Sequence, residues 1–280
     1  MTVLALADLE HGVLDPSAPV LHADDEGVLR GRSVFETLRV YGGTPFRLDA
    51  HLERLGASAT RLRLPEPPRG QFAAAVAEAV RAGGRPDATL RLLWTAGREG
   101  GGAPLGLALV STLPPGLDEL RERGLKLGVV RWAAGALAGA KSTSYAENIF
   151  AQQEAVDAGA GDALLVASDD TILEAPTSNV WFRERDRLLT PSLDLPVLAG
   201  VTRATLLEVA PELSYEVEEG AYPLARLLES DEAFLTSSVR EVVPVVAVDG
   251  RAVGGGSPGA AATALQLGLR AAAGYSAPDE

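Results

Sequence analysis

Strand-like segments outnumber helical segments along this chain, and this ratio constrains the fold most. Ser33 to Tyr41 alternates well enough for a strand, and Gly42-Gly43 follows it as a hairpin turn signal. Paired strands are also predicted over 89–95 and 105–112. A doubly wound parallel sheet needs a helical crossover between successive strands, and the predicted helices are too few. The pattern therefore predicts an α+β fold with mixed or antiparallel sheets.

Helical patterns follow the first hairpin and are spread over the second half of the chain. Apolar residues recur on one face from Asp49, which we expect to cap the helix, to Leu62. The remaining helices are predicted over 71–82, 117–123, 146–157, 203–210, 221–228 and 258–273. Further strands are predicted over 125–133, 162–167, 172–174, 179–182, 188–190, 232–236 and 243–248.

Pro114-Pro115-Gly116 interrupts this pattern and is typical of a boundary between domains. The chain length suits one large domain or two of ordinary size, and this boundary signal favours two. We therefore expect a smaller N-terminal α+β domain over residues 1–114. A larger C-terminal domain is expected over residues 115–280, and it would contain Lys141, a residue considered below.

The composition is that of an acidic chain without cysteine. Its 38 acidic and 25 basic residues give a formal net charge of −13, so nucleic acid is not an expected partner. The absence of cysteine excludes disulfides and thiolate chemistry. No run of eighteen apolar residues occurs, and the first ten residues include no basic residue. We therefore expect a cytoplasmic protein without a membrane partner, and we predict no metal site.

Only two lysines occur, Lys126 and Lys141. Apart from the histidines, all the other basic side chains are arginines. A guanidinium stays protonated, whereas a buried lysine can lose its proton and attack a carbonyl. A GC-rich genome favours arginine codons and accounts for the rarity of lysine, but it assigns no role to either one. Lys126 opens an apolar run and is interpreted as a strand-end charge. Lys141 lies in a small, polar run before a helix, and it is the candidate for amine chemistry.

Other segments could complete a site for an aldehyde cofactor that bears a pyridine ring and a phosphate. Such a cofactor needs a lysine for the Schiff base, a carboxylate at the ring nitrogen, and N–H, hydroxyl or guanidinium donors at the phosphate. Glu174 ends a strand before a turn. Gly200-Val201-Thr202 opens a helix, where unpaired N–H groups favour phosphate.

Each of these segments also has a simpler interpretation. Glu174 could be an exposed residue at the start of a loop, and Thr202 could be an ordinary helix cap. Thr236-Ser237-Ser238 could be a polar turn without a ligand, and Arg54 a solvated side chain on its helix. No single segment decides between the two interpretations.

Taken in order, these segments resemble the class-IV aminotransferase family, the fold-type IV pyridoxal-phosphate enzymes. The motifs that carry the resemblance are Phe35-Glu36-Thr37, His51-Leu52-Glu53-Arg54-Leu55, Lys141, Glu174 with Ser178-Asn179, Gly200-Val201-Thr202-Arg203 and Thr236-Ser237-Ser238. Each motif is weak alone, whereas the ordered set is specific and spans nearly the whole chain. The chain departs from the family at Gly31-Arg32-Ser33, where Gly-Asp-Gly is frequent, and at Ser238, where threonine is common.

The resemblance implies pyridoxal 5'-phosphate as the cofactor and a homodimer as the assembly. It implies that Lys141 forms the Schiff base and moves the proton, and that Glu174 pairs with the pyridine nitrogen. Tyr145 is expected near the ring hydroxyl. The phosphate would be held by Arg54, Val201, Thr202 and Ser238.

Two enzymatic hypotheses share these cofactor residues. The segment from Lys141 to Asn148, together with Leu235 to Ser238, looks most like 4-amino-4-deoxychorismate lyases, which form 4-aminobenzoate and pyruvate. The alternative is an aminotransferase for branched-chain or D-amino acids, although Arg91-Leu92-Leu93-Trp94-Thr95 lacks the Tyr-x-Arg pattern expected of the branched-chain enzymes. Candidates for binding the substrate carboxylates are Arg32, Arg39 and Arg91.

A third hypothesis comes from a different class, a non-catalytic protein that binds anions through the loop from Gly97 to Gly102. This loop lacks the Gly-Lys-Ser/Thr ending of a nucleotide-binding P-loop, so its pattern favours the hypothesis only weakly.

Overall fold

A computed structural model describes residues 1–275 of the chain. The helices are α1 Glu26–Arg30, α2 Leu48–Arg61, α3 Arg69–Gly83, α4 Leu117–Arg123, α5 Ala146–Asp157, α6 Val201–Glu212, α7 Leu224–Leu228 and α8 Ala260–Ala272. The first six strands are β1 Val3–Asp8, β2 Gly12–Leu14, β3 Ser33–Tyr41, β4 Thr44–Pro45, β5 Ala88–Thr95 and β6 Gly106–Ser111. The others are β7 Leu125–Arg131, β8 Asp162–Val166, β9 Glu174–Ala175, β10 Ser178–Glu184, β11 Arg187–Pro191, β12 Glu216–Gly220, β13 Glu232–Ser237, β14 Glu241–Val248 and β15 Arg251–Ala252.

The chain folds into two compact units. The first contains Met1–Pro115 together with Ala140–Tyr145, and the second contains Gly116–Gly139 and the chain from Ala146 onward. The crossover at Pro115 lies beside the predicted boundary. Lys141 belongs to the first unit, whereas the sequence prediction placed it in the C-terminal domain. The physical reason is that its segment forms backbone hydrogen bonds with β3, a pairing between residues about a hundred positions apart that no local pattern shows.

The first unit is an antiparallel sheet covered on one face by two helices. The strand order is β2-β1-β6-β5-β3-β4. Side chains alternate between the faces of a strand, so Val34, Leu38 and Val40 of β3 point towards α2 and α3. There they pack with Leu55 and Phe72, both fully buried. This apolar face is the core of the unit.

The second unit is built on a nine-stranded mixed sheet. Seven strands follow the order β12-β11-β10-β13-β14-β7-β8, with β9 beside β10 and β15 beside β14. The pairs β11–β12, β14–β7 and β7–β8 are parallel, and the others are antiparallel. Trp181 and Phe234, on neighbouring strands, stack with ring centroids 6.1 Å apart. The mixture of helices with mixed and antiparallel sheets confirms the predicted α+β class.

Several helix starts differ from the prediction, and two of them lie in helices that carry predicted site residues. Asp49 is not the cap of α2, because the helix begins one residue earlier at Leu48 and its N-cap is Arg47, with φ of 52°. Asp49 lies instead in the first turn, where a carboxylate is favourable beside the unpaired N–H groups. Helix α6 begins at Val201 rather than at residue 203. Across residues 1–275, no helix combines the length and the apolar character needed to cross a membrane.

Candidate active site

The Lys141 segment lies beside the first residues of β3, along the edge opposite β5. Phe35 N donates to Lys141 O at 3.0 Å, and Thr143 N donates to Ser33 O at 3.0 Å. On the other side, Lys141 N donates to the Oγ of Ser58 on α2 at 3.0 Å. The backbone N–H and C=O of Lys141 are thus held by a helix and by a strand, which fixes the position of the Cα from which the side chain extends.

Two aromatic rings surround the Lys141 amine. Its Nζ lies 4.5 Å from the ring centroid of Phe35 and 5.8 Å from that of Tyr145. The rings meet edge to face, with centroids 5.5 Å apart. The negative faces of aromatic rings attract an ammonium, so both rings favour a charged amine at this position. The structure therefore brings two predicted site residues, Lys141 and Tyr145, together.

A buried charged cluster connects α2 to β3 in the same unit. The Arg54 guanidinium donates to both oxygens of Glu36, from Nε at 2.8 Å and from Nη2 at 2.6 Å. His51 Nδ1 lies 2.7 Å from Glu36 Oε2. Glu36 and His51 are at most 1% exposed. Arg54 is therefore not the solvated helical side chain of the simpler interpretation.

The pKa shifts in this cluster have different causes. Burial alone would raise the pKa of Glu36, but the charge of Arg54 and the hydrogen bonds from Arg54 and His51 lower it to about 2. Burial lowers the pKa of His51, and the cations of Arg54 and Lys141 act in the same direction against the attraction of Glu36. Glu36 is consequently an anion and His51 a neutral donor near neutral pH.

In the second unit, Asn179 on β10 joins three predicted segments. Its Nδ2 donates to Glu174 Oε2 at 3.1 Å and to Leu198 O at 2.9 Å. Leu198 N donates to the same Glu174 oxygen at 3.1 Å. Asn179 is also the register partner of Thr236 on β13. Glu174 is therefore held by two N–H donors and is not merely an exposed residue at the start of a loop.

Helix α6 begins without a side-chain cap. Its N-cap residue is Gly200, and no side chain forms a capping hydrogen bond there. A Cβ at Gly200 would lie 1.9 Å from Asn179 Oδ1, so only glycine fits this close approach. Thr202 is buried and lies within the first turn rather than at the cap. The helix start is thus of the type that accepts a phosphate, with Val201 and Thr202 in its first turn.

Ser238 lies in the turn between β13 and β14. It is partly buried, and it follows Thr236, whose Oγ1 accepts a hydrogen bond from Trp181 Nε1 at 3.1 Å. The Arg240 guanidinium ends the turn and donates to Ser178 Oγ at 2.8 Å and to Asp162 Oδ2 at 2.8 Å. The turn is therefore anchored at both ends, which fixes the position of Ser238.

The three arginines predicted to bind substrate differ in their surroundings. Arg32 forms an ion pair with Glu26, and Arg39 is buried with its guanidinium 4.8 Å from the Tyr41 ring centroid. Arg91 is exposed and is the register partner of Thr37 on β3. Because side chains alternate along β3, Thr37 and Arg91 share the sheet face of Phe35, the ring that contacts the Lys141 amine.

Four further residues of these clusters were not predicted as site residues: Glu36, His51, Ser58 and Asn179. Glu36, His51 and Asn179 stand inside the motifs of the family resemblance, and this was the available signal. His51, Arg54 and Ser58 also recur at helical spacing, which places them on one side of α2. Their partners lie on other elements, so the contacts themselves could not be inferred from the sequence.

An amine held against aromatic rings, a fixed carboxylate and an uncapped helix start form the set expected of an enzyme that uses a phosphorylated carbonyl cofactor. The family model for amino-transferase class IV matches residues 33–248. The chain belongs to this family. Its members use pyridoxal 5'-phosphate, and the same cofactor serves this enzyme. The groups present suit that cofactor in their chemistry: an amine at Lys141, a hydrogen-bonded carboxylate at Glu174 and a helix start at Val201.

Two curated relatives carry related names. The chain is 36% identical over 262 residues to the bifunctional aminodeoxychorismate lyase / D-amino acid transaminase of Mycobacterium tuberculosis, covering 87% of this chain and 91% of that protein. It is 33% identical over 258 residues to the aminodeoxychorismate lyase of Bacillus subtilis, with 89% and 88% covered. A solved structure of a hypothetical aminotransferase from Mycobacterium tuberculosis in its PLP-bound form superposes with a TM-score of 0.90 at 33% identity, covering 96% of this chain and 98% of that one. The family assignment places the protein among enzymes and rules against the non-catalytic hypothesis.

Proposed function

We propose that this enzyme is a 4-amino-4-deoxychorismate lyase, which converts its substrate into 4-aminobenzoate and pyruvate. The observation that carries the proposal is the similarity to two proteins whose names include aminodeoxychorismate lyase, at 36% and 33% identity over most of the chain. The position of the Lys141 amine, beside the exposed face that carries Arg91, supports it. The two products together contain all atoms of the substrate, so neither an oxidant nor a second substrate is needed.

Lys141 is the proposed catalytic residue. When bound, the cofactor supplies an electron sink joined to the substrate amine. Lys141 would remove the proton from the ring carbon that bears this amine. The bond between the neighbouring ring carbon and the enolpyruvyl oxygen then breaks, and the ring becomes aromatic. Lys141 returns its proton to the methylene carbon of the departing group, which leaves as pyruvate, so the proton balance closes.

The other predicted residues take binding roles in this proposal. Glu174 would pair with the pyridine nitrogen, and Tyr145 would lie near the ring hydroxyl. Arg54, Val201, Thr202 and Ser238 would hold the phosphate. Asn179 adds a supporting role, because it donates to the Glu174 oxygen at 3.1 Å.

A dianionic substrate requires cations at its two carboxylates. Among the three predicted arginines, Arg91 has the strongest support, because it is exposed on the sheet face that also carries Phe35. Arg39 lies on the same face by strand alternation but is buried. Arg32 is engaged with Glu26, so it would have to exchange that partner to bind substrate.

A second candidate function is transfer of an amino group from an amino acid to a 2-oxo acid. It is favoured by the relative from Mycobacterium tuberculosis, whose name joins a lyase with a D-amino acid transaminase. Lys141 would carry out the same proton abstraction and would also return the proton. The amino acid would leave as a keto acid, and its amino group would pass by way of the cofactor to the 2-oxo acid. D-amino acids are the preferred substrate class, because β5 lacks the Tyr-x-Arg pattern expected of branched-chain enzymes.

The cellular context follows from the proposed products. 4-Aminobenzoate is a building block of folate, so we propose a role in folate biosynthesis in the cytoplasm. We also propose that the enzyme acts as a homodimer, as implied by the family resemblance.

The decisive experiment supplies aminodeoxychorismate and, separately, D-alanine or L-leucine with 2-oxoglutarate. The lyase should release pyruvate from aminodeoxychorismate without any keto-acid acceptor, and 4-aminobenzoate should appear in equal amount. Turnover of amino acids alone, dependent on the acceptor, would instead establish the transaminase.

An Arg91→Gln variant tests the substrate side of the same proposal. Loss of one charge-assisted contact predicts a rise in KM of about 10- to 100-fold. Arg63→Gln, an exposed arginine just after α2, is the matched control. Equal KM values for both variants would remove Arg91 from the substrate site.

A further inference from the structure

Glu36 is a charged residue in the apolar row of β3. Its neighbours at the same face, Val34 and Leu38, are fully buried and pack in the core against α2 and α3. Glu36 itself is 0% exposed. A buried carboxylate costs free energy unless it is paired and hydrogen-bonded, so an apolar residue would serve the core better. The position therefore points to a role beyond packing.

The carboxylate of Glu36 fixes the Arg54 guanidinium in one orientation. Two parallel N–H···O contacts, at 2.8 and 2.6 Å, form a bidentate pair, and this geometry defines both the position and the plane of the guanidinium. An arginine side chain otherwise samples many rotamers, and holding it in one of them costs conformational entropy. The ion pair with Glu36 already holds Arg54 in one rotamer, so a ligand that binds Arg54 does not have to order this side chain.

His51 in turn fixes Glu36. Its Nδ1 lies 2.7 Å from Glu36 Oε2, and its side chain is 1% exposed. Burial lowers the pKa of this imidazole, so the histidine acts as a neutral N–H donor. It therefore adds no positive charge to the Glu36–Arg54 ion pair. His51 and Arg54 lie three residues apart on α2, which presents both to the same strand.

We propose that Glu36 and His51 are positioning residues for the cofactor phosphate: His51 orients Glu36, and Glu36 aims Arg54. This inference rests on the proposed role of Arg54 in phosphate binding. A guanidinium presents five N–H donors in a planar fork, so it can donate to a carboxylate and to a phosphate at the same time. Because the ion pair is neutral overall, Arg54 contributes directed donors rather than net positive charge.

The test compares two ligands that differ only in the phosphate. Purified holoenzyme is freed of its cofactor with hydroxylamine, dialysed, and titrated with pyridoxal 5'-phosphate or with pyridoxal. The visible absorbance band reports occupancy. The ratio of the two dissociation constants measures the phosphate contribution alone, whereas a general structural defect weakens both ligands alike.

Glu36→Gln should weaken pyridoxal 5'-phosphate binding by about 10- to 100-fold, the range for one charge-assisted contact, and should leave pyridoxal binding nearly unchanged. Glu53→Gln is the matched control, since Glu53 is exposed on the same helix. His51→Asn should retain the wild-type ratio, because the Asn Nδ2 takes the place of the His Nδ1 donor. His51→Leu, which lacks the donor, should lose part of the phosphate preference.

Three outcomes would overturn the inference. One is an equal loss of affinity for both ligands in Glu36→Gln, which would mean a purely structural role. Another is tighter binding of pyridoxal 5'-phosphate, which would mean that Glu36 mainly neutralises Arg54. The third is the same ratio of the two dissociation constants in His51→Asn and His51→Leu. If Glu36→Gln does not fold, this comparison of the two His51 variants tests the inference by itself.

A further variant separates this inference from the proposed function. If Arg54→Ala loses the phosphate preference while Glu36→Gln keeps it, Arg54 binds the phosphate and only the positioning roles are wrong. If the wild-type protein shows no visible band with either ligand, the proposed function fails and the positioning inference fails with it.

Discussion

The side-chain amide of Asn179 donates to Glu174 Oε2 at 3.1 Å, and the backbone of Gly200 passes directly beside the same amide. Through this contact, a residue on β10 sets the distance between a carboxylate and the start of α6. The carboxylate and the helix start are the groups proposed to hold opposite ends of the cofactor. Asn179 is therefore the structural link between two proposed binding elements that are about 25 residues apart in the chain.

The close approach at Gly200 predicts a localised effect of adding one methyl group. In Gly200→Ala the new Cβ would meet Asn179 Oδ1 at 1.9 Å, so either the helix start or the amide must move. We expect cofactor affinity to fall by about 10-fold or more, since displaced donors lose the contact energy of at least one hydrogen bond. Absorbance titration with pyridoxal 5'-phosphate measures this change.

Gly135→Ala is the control for that substitution. Nothing lies within 4 Å of a Cβ built there, and the position has no positive φ. Its cofactor affinity should match the wild type. A Gly200→Ala variant with unchanged affinity would show that α6 does not bind the phosphate.

The two lysines should respond differently to the same conservative change. Lys141→Arg keeps the positive charge but removes the amine that can attack a carbonyl, so turnover and the visible absorbance band should disappear. Lys126→Arg, at an exposed position of β7, should retain both. Borohydride reduction followed by peptide mass analysis provides the direct measurement, with cofactor mass expected on the peptide that contains Lys141. Activity in both variants would contradict the assignment of Lys141.

Segments with strong local patterns were predicted well. Ser33–Tyr41, Leu117–Arg123 and Ala146–Asp157 have the predicted bounds, because hydrophobic alternation or helical periodicity and nearby glycines determine them locally. The α+β class followed from the number and order of such segments.

Elements that depend on distant partners were missed. Strand β1 pairs with β6, with Val3 opposite Ser111, and its short Leu-Ala sequence has no alternation to reveal it. Strand β12 contains three glutamates and is stable as an edge strand beside β11, where charged side chains reach solvent. For the same reason, the sequence offered Lys141 and Glu174 as candidate site residues but did not indicate their partners Ser58 and Asn179.

Ser58 supports the lysine segment from α2, and its removal should loosen that segment. In Ser58→Ala the N–H of Lys141 loses its acceptor at 3.0 Å. An unsatisfied, partly buried donor costs about 1–3 kcal/mol, so the melting temperature should fall and borohydride trapping of the cofactor should slow. Thermal unfolding and trapping rates are the measurements.

Thr60→Ala is the matched control on the same helix. Its hydroxyl donates to Gly56 O on an exposed part of the helix, so its loss should change stability by less than about 0.5 kcal/mol. Equal effects of the two substitutions would argue against a special role of Ser58.

The buried imidazole of His51 should make the stability of the protein depend on pH. Burial lowers its folded-state pKa below 6.5, against the attraction of Glu36, so the unfolded state binds the proton more readily. Stability from His51 is therefore fully present above pH 6.5 and is lost as the pH falls below that value. Glu36, whose pKa is lowered from 4.5 to about 2, acts in a separate window, losing its contribution only as the pH falls from 4.5 towards 2.

Urea unfolding at about pH 6.5 and about pH 5.5 should show the His51 effect, with up to about 1.4 kcal/mol lost per pH unit for one proton. His51→Asn cannot take up this proton and should lose less stability over that interval. His11 acts in the opposite direction, because its hydrogen bond to Asp8 raises its pKa, so both proteins should carry His11→Asn as a common background. If the free energy of unfolding changes equally with pH in the proteins with and without His51→Asn, then His51 is already protonated in the folded protein. The Glu36–Arg54 pair would then have a charged rather than a neutral neighbour.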